Sequence, residues 1–147
     1  MLISVTRLRV RSFRFMPAFL WHTFRSQRQA ERAPGFIGGR LLVDRHRVYW
    51  TLTAWESEQA MKKFRGTAAH AQVMPRLASW CDEATYVHWT PEAGSIPEWL
   101  EAHRRLAADG HVSRVTFPSE SHASRRFPPL RLKPLIGQTL TPRKQNG

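Results

Sequence analysis

The amino-acid sequence predicts an α+β fold, a ferredoxin-like βαββαβ domain with one antiparallel sheet and its helices on one face. Two observations support this prediction. Short segments alternate apolar and polar side chains, as strands do, and the segments between them carry apolar residues at helical spacing. These segments follow one another as strand, helix, strand, strand, helix, strand within residues 1–90, and 147 residues leave room for an extension.

The first strand and helix occupy residues 2–34. Residues 2–11 alternate, although Ile3 and Val5 are out of phase with Leu8 and Val10, which leaves the register open. Pro17 suits the first turn of a helix, and an apolar stripe with a 3.6-residue period then runs to Pro34-Gly35. The stripe consists of Met16, Phe19, Leu20, Thr23, Phe24, Gln27 and Ala30.

Residues 36–43 and 48–55 are predicted to form an antiparallel hairpin across the polar segment 44–47. Alternation divides the second of these strands into two faces. One face carries Val48, Trp50, Leu52 and Ala54, and the other carries Tyr49, Thr51, Thr53 and Trp55. Gly38-Gly39 interrupts the first strand, which indicates a β-bulge or the close approach of another backbone.

The second helical region begins at Ser57-Glu58 and runs to Arg65. It resumes after Thr67, a residue suited to an N-cap, and continues to Trp80 with a break or kink at Pro75. Residues 85–89 are rich in strand-forming side chains and complete the domain as its fourth strand.

Two further segments follow the domain of residues 1–90. Residues 91–117 are predicted to contain a helix over 97–108 and a strand over 111–117. Residues 118–147 form a basic, proline-rich tail that is extended or disordered by composition. Four apolar residues suggest that part of the tail docks on the domain or its partner. They are Leu130, Leu132, Leu135 and Ile136.

Charge and cysteine content narrow the class of protein. The net charge of +12 divides into +6 for residues 1–35, zero for 36–110 and +6 for 111–147. Basic ends suggest an anionic partner, such as a membrane surface or nucleic acid, although solvated surface charge is the commoner cause. Cys81 is the only cysteine, which excludes an internal disulfide and favours a reducing, cytoplasmic location. No apolar run is long enough to span a membrane.

A run of residues with consistent spacing carries a family resemblance. The pattern consists of Thr6-Arg7-Leu8-Arg9, residues 50–56, Phe64-Arg65 and His70. It resembles the spheroidene monooxygenase-like branch of the dimeric α/β-barrel, antibiotic biosynthesis monooxygenase-like superfamily. The resemblance implies a homodimer in which two sheets pack as a barrel, and an enzyme that oxygenates a large apolar substrate. It implies either haem held by a histidine or chemistry without a cofactor, in which the substrate itself activates oxygen.

His70 is the first candidate catalytic residue. It falls in the first turn of a helix, where the helix dipole disfavours protonation and keeps the imidazole available as a base or as a haem iron ligand. A capping or surface role is the alternative. Trp55 is the second candidate, and it could line an apolar pocket beside His70 together with Phe64, although core packing would explain both side chains equally well.

Three other residues are candidates for substrate contact. Trp50 is an aromatic residue that core packing or a dimer contact would also explain. Arg7 and Arg9 could meet haem propionates or a substrate carboxylate, because arginine suits bidentate recognition, but exposed strand-edge charge is the alternative. The remaining histidines lack zinc spacing, so no structural metal is predicted. The only asparagine, Asn146, lies in the tail, which argues against the Asn-Trp-His arrangement of haem degradation.

These patterns together predict a monooxygenase-like protein that binds an apolar small molecule. Three alternatives stay open: a ligand-binding protein without activity, a dimer used for assembly, and a basic module that binds membrane or nucleic acid. Peripheral contact with an anionic membrane fits the basic ends. Nucleic acid fits less well, because the basic end of residues 111–147 offers few aromatic residues for stacking, only Phe117 and Phe127.

Overall fold

A computed structural model describes residues 1–128 and 136–143. The strands are β1 (Leu2–Val10), β2 (Phe36–Val43), β3 (Val48–Trp55), β4 (Cys81–Trp89), β5 (His111–Val112) and β6 (Ile136–Leu140). The helices are α1 (Met16–Arg32), α2 (Glu58–Arg65), α3 (Ala68–Trp80), α4 (Trp99–Asp109) and α5 (Glu120–Ala123), and a short 3-10 helix (Phe13–Phe15) precedes α1. The predicted α+β class and the βαββαβ order are confirmed.

The strands form one antiparallel sheet in the order β5-β4-β1-β3-β2-β6. Its four inner strands have the ferredoxin-like arrangement, and β5 and β6 extend the two edges. The predicted strand over residues 111–117 is wrong in length, because only His111 and Val112 pair with β4. Conversely, β4 begins at Cys81 rather than Thr85, because its first residues pair with the end of β1.

The glycine pair in β2 marks an irregularity, as predicted. The pairing with β3 shifts register between Phe36 and Gly38. A Cβ atom added at Gly39 would lie 2.5 Å from the backbone oxygen of Leu52, a distance no side chain tolerates. Gly39 therefore allows β2 and β3 to approach closely.

Helix α1 packs on the sheet through fewer residues than the predicted stripe contains. Phe19 and Ala30 are buried, but Leu20 and Phe24 are exposed. Helical spacing identifies neighbours on a helix face without showing which edge of that face meets the sheet.

Helix α4 covers the opposite face of the sheet. Ala102 and Leu106 of this helix are fully buried against the sheet, and the ring of Trp50 on β3 lies 6.3 Å from that of Trp99 in an edge-on arrangement. Residues of β1 and β3 on this face, such as Val5 and Leu52, have no exposed surface. The chain thus covers the face that was predicted to require a second copy, and pairing into a homodimeric barrel stays a prediction.

Strand β6 shows that part of the tail docks on the domain. It pairs with β2 from Gly39 to Val43, and its Leu140 is buried in the core. Three of the four residues predicted to dock, Leu130, Leu132 and Leu135, lie outside the described residues. Among the helices of the described ranges, none has the length and apolar character needed to cross a membrane.

Candidate functional site

A cavity of about 330 Å³ lies between the sheet and helices α1, α2 and α3. Pockets of about 300 to 1,000 Å³ commonly bind small molecules, so this one suits a small ligand. Its walls are mainly apolar. The main apolar side chains are Phe19, Leu41, Trp55, Met61, Phe64, Val73, Met74 and Leu77.

Strand alternation supplies the cavity with hydroxyl groups. Ser4 and Thr6 of β1 and Tyr49, Thr51 and Thr53 of β3 lie along the face that meets the helices. Burial raises the pKa of the Tyr49 phenol, although a hydrogen bond with Thr51 opposes the shift, so this phenol stays neutral at physiological pH. The lining residues of this cavity, within the described ranges, include no carboxylate and no thiol.

His70 is held at the start of α3 by its backbone. Its N–H donates to Oε1 of Gln29 on α1 over 2.9 Å, and Nε2 of Gln29 donates to the carbonyl oxygens of Phe64 at 3.1 Å and Thr67 at 2.8 Å. One glutamine side chain therefore ties together α1, the end of α2 and the start of α3. This connection fixes the position of the histidine at the cavity wall.

The His70 ring makes one hydrogen bond that determines its tautomer. Its Nδ1 lies 3.2 Å from the backbone oxygen of Arg65. Because a carbonyl oxygen can only accept, Nδ1 carries the proton, and in the neutral ring Nε2 keeps a free lone pair. Within the described chain no protein group occupies Nε2.

Burial is the largest influence on the protonation of His70, and it lowers the pKa of the imidazole below its ordinary value. The hydrogen bond to the Arg65 carbonyl partly opposes this shift, and the positive charge of Arg65 adds to it. The neutral imidazole is therefore the main form near pH 7. A neutral ring with a free Nε2 can accept a proton.

The structure brings His70, Phe64 and Trp55 together. The His70 and Phe64 ring centroids are 4.8 Å apart, and Phe64 stacks on Trp55 at 5.0 Å with an interplanar angle of 27°. Nε1 of Trp55 donates to Oγ1 of Thr53 over 3.0 Å. The only polar group of Trp55 is therefore occupied, and because its ring is 0% exposed, Trp55 supports Phe64 at the cavity wall and offers a ligand no hydrogen bond.

The other three sequence-predicted site residues lie on the opposite face of the sheet. Trp50 packs beneath α4, and its neighbour Arg7 forms a buried ion pair with Glu83, Nη1 to Oε2 at 2.5 Å. Arg9 makes two hydrogen bonds to Asp82, at 2.9 and 2.6 Å. The alternation that places Trp55 in the cavity places these residues outside it, and the sheet separates the two groups.

Four polar residues at the cavity were not predicted as site residues from the sequence. Tyr86 and His88 on β4 pair with Thr6 and Ser4 on β1 and line the cavity, as do the exposed Arg65 and Arg114. Burial and the charge of Arg65 lower the pKa of His88. Period-two spacing along residues 84–88 could have placed Tyr86 and His88 on one face, but the spacing of the histidines was weighed only for zinc.

The residues present do not fit the predicted haem. The cavity volume is near the small end of the range for ligand sites, while a porphyrin is a large macrocycle. Arg7 and Arg9, the predicted partners of the propionates, are on the other side of the sheet and are already paired.

Residues 13–125 match the family described as a domain of unknown function, DUF3291. The chain belongs to this family. No curated protein matches it.

Solved structures share the fold. A Nitrosomonas europaea protein provisionally named an antibiotic biosynthesis monooxygenase is 18% identical, with a TM-score of 0.57 over 63% of this chain and 100% of its own. SnoaB of Streptomyces nogalater, described as a cofactor-independent oxygenase, is 21% identical, with a TM-score of 0.52 over 66% of this chain and 97% of its own. The predicted α+β, ferredoxin-like fold is thereby confirmed. The narrower spheroidene monooxygenase-like branch stays a prediction.

The lowered histidine pKa values predict a dependence of stability on pH. Burial is the main cause of the lowered pKa in His22, His70 and His88. Below the unfolded pKa of about 6.5, the unfolded chain binds more protons than the folded one, so acid favours unfolding. We expect the melting temperature to fall as the pH drops below about 6.5, before the carboxylates titrate.

Thermal unfolding followed by circular dichroism between about pH 7.5 and pH 5 measures this effect. The double variant His70→Gln/His88→Gln should show a smaller fall than the wild type, whereas His46→Gln, at an exposed turn, should show the same fall. A melting temperature that is constant over this range would contradict the prediction.

Proposed function

We propose that this protein is a cofactor-independent oxygenase of a small apolar aromatic compound that carries a phenol or enol hydroxyl. The observation that carries the proposal is His70. Its ring has a lowered pKa, a tautomer fixed by the Arg65 carbonyl and an Nε2 lone pair beside an aromatic wall. These are the properties of a general base that acts near neutral pH.

The cavity supports this class of substrate. Its walls of Trp55, Phe64 and aliphatic side chains favour a flat apolar molecule, and the strand hydroxyls can position a few oxygen atoms of that molecule. Arg65 and Arg114 bring positive charge to the same cavity and would stabilise an anion formed from the substrate. With no carboxylate among the described lining residues, nothing there opposes such an anion.

The reaction begins when Nε2 of His70 accepts the proton of the substrate hydroxyl. The resulting anion is electron-rich and passes one electron to O₂, and the two radicals combine to form a C–O bond. The C–H bond at the oxygenated carbon and the O–O bond then break, one oxygen stays in the product as a carbonyl, and the other leaves as water with the C–H proton and the proton that His70 accepted. The product is a quinone, and the substrate supplies all four electrons, so no external reductant is consumed.

An oxygen electrode and quinone absorbance test the proposal. The wild-type protein is mixed with a panel of hydroxylated naphthalenes and anthracenes without a reductant or an added metal. We expect one O₂ to be consumed for each quinone formed with at least one member of the panel. Binding is measured in parallel by quenching of tryptophan fluorescence, with Trp55→Phe to identify the cavity signal.

Other results would overturn the proposal in distinct ways. Binding of panel members without O₂ uptake would favour the alternative of a ligand-binding protein without activity. A Soret band that forms on addition of haem and is lost in His70→Ala would favour haem-dependent chemistry. If no member of the panel binds or causes O₂ uptake, the assigned substrate class is wrong.

A further inference from the structure

The outer side of α1 carries an unusual amount of exposed apolar surface. Trp21 is 60% exposed, Phe24 50% and Leu20 38%, and the rings of Trp21 and Phe24 stack on each other at 6.5 Å. Phe13, just before α1, and Met74 of α3 are 68% and 44% exposed. We call these five residues the apolar patch. A patch of large side chains on two packed helices usually marks an interaction site.

Arginines surround the apolar patch. Arg25 and Arg28 follow Trp21 and Phe24 along the exposed side of α1 at helical spacing, and Arg28 lies 5.6 Å from the Phe24 ring. Arg76 of α3 contacts His22 of α1 at 3.1 Å, between the two helices. The apolar patch and these arginines therefore place aromatic and cationic side chains on a single face.

Negative charge is scarce on α1 and α3, both of which the structure describes in full. Across α1 and α3 the sequence contains one carboxylate, Glu31. Its side chain is 6% exposed and pairs with Arg143, Nε to Oε2 at 2.9 Å. The exposed surface of these two helices is consequently cationic. The net charge of residues 1–35 did not show that the positive charges lie on one face.

A basic groove continues from the patch. It lies between α1 and the junction of α2 with α3, has a volume of about 530 Å³, and includes Phe24 and Phe64 among its walls. Arg25, Arg28 and Lys63 also line it, and within the described residues no acidic side chain does. A groove of this kind suits the phosphate of a lipid headgroup lying beside the apolar patch.

We infer that this surface of α1 and α3 docks the protein on an anionic phospholipid bilayer. Aromatic and aliphatic side chains would enter the boundary between headgroups and acyl chains, while the arginines would contact the lipid phosphates. A second copy of this chain fits less well, because two cationic faces repel each other. Single-stranded nucleic acid fits less well too, because Leu20 and Met74 cannot stack on bases and Trp21 and Phe24 already stack on each other.

Vesicle sedimentation of the full chain tests the inference, whatever the cavity binds. We expect binding to vesicles of equal parts phosphatidylcholine and phosphatidylglycerol, weak binding to phosphatidylcholine alone, and loss of binding at high salt. Arg25→Glu/Arg28→Glu should weaken binding at least about thirtyfold, because the loss of each basic residue near the surface costs about a factor of five and the new glutamates are repelled by the anionic lipid. Trp21→Ser/Phe24→Ser should weaken it at least tenfold, roughly the effect of withdrawing two aromatic side chains.

Helix α4, on the opposite face of the sheet, supplies matched controls. Leu100→Ser removes an apolar side chain of comparable exposure, 62%, and Arg104→Glu reverses an exposed charge. Both should bind vesicles like the wild type, and circular dichroism should show that all variants are folded. Absence of wild-type binding, or equal loss in the α4 variants, would overturn the inference. Patch-dependent binding of an oligonucleotide without vesicle binding would replace the bilayer with nucleic acid.

Discussion

Replacing His70 with alanine is expected to lower the rate of substrate-dependent O₂ uptake by about 10² to 10⁴, the usual contribution of a general base. The reason is local. Nε2 is the ring nitrogen that the Arg65 hydrogen bond leaves free, and burial keeps it unprotonated near pH 7. The affinity for substrate should change less, because Phe64 and Trp55 still form the aromatic wall.

The pH profile distinguishes a base from a residue that only packs. In the wild type, activity should fall on the acid side below about pH 6.5, because the folded pKa of His70 lies under its ordinary value. The residual activity of His70→Ala should lack this acid limb. His46→Ala, at an exposed turn, is the matched control and should keep both the rate and the limb. If His70→Ala retains the wild-type rate and profile, His70 is not the base.

Replacing Glu83 with alanine is expected to lower the free energy of unfolding by about 3 to 5 kcal/mol, the typical cost of leaving a buried charge without its partner. The Arg7 and Glu83 side chains are 5% and 3% exposed. Glu83 also accepts a hydrogen bond from Ser119 at 2.8 Å and lies 3.6 Å from Arg9. The variant would therefore leave the buried Arg7 guanidinium without its counter-charge.

Chemical denaturation measured by tryptophan fluorescence quantifies the effect. The double variant Arg7→Leu/Glu83→Leu should be much more stable than Glu83→Ala, since it removes both buried charges together. Glu98→Ala, which breaks the exposed ion pair with Arg40, should leave the unfolding free energy almost unchanged. Equal losses in Glu83→Ala and Glu98→Ala would show that burial does not govern the strength of these pairs.

Local rules predicted much of the fold correctly. Alternation along β3 separated Trp55 from Trp50, and the structure puts them on opposite faces of the sheet. Ser57 is the N-cap of α2, where its side chain accepts from the N–H of Ala60. The irregularity predicted at Gly38-Gly39 is present as a shift in the register of β2 with β3. Each of these follows from a few neighbouring residues, and so a single sequence can reveal it.

The remaining features depend on contacts between distant segments. Gln29 accepts a hydrogen bond from the backbone of His70, 41 residues away in the sequence, and no local pattern predicts such a bond. The role of His88 in the cavity follows from its register with Ser4, which the sequence left open. The exposure of Leu20 and Phe24 depends on how α1 is rotated on the sheet. Helical spacing cannot supply that rotation.

Helix α4 binds the sheet intramolecularly, because the chain connects it directly to β4. The nine residues that separate it from β4 keep it near its binding face, so its local concentration is far above that of any free protein. Docking it costs none of the translational freedom that two separate molecules would lose. A second copy that sought the same face would have to displace this helix, and dilution, which separates subunits, leaves an intramolecular cover in place.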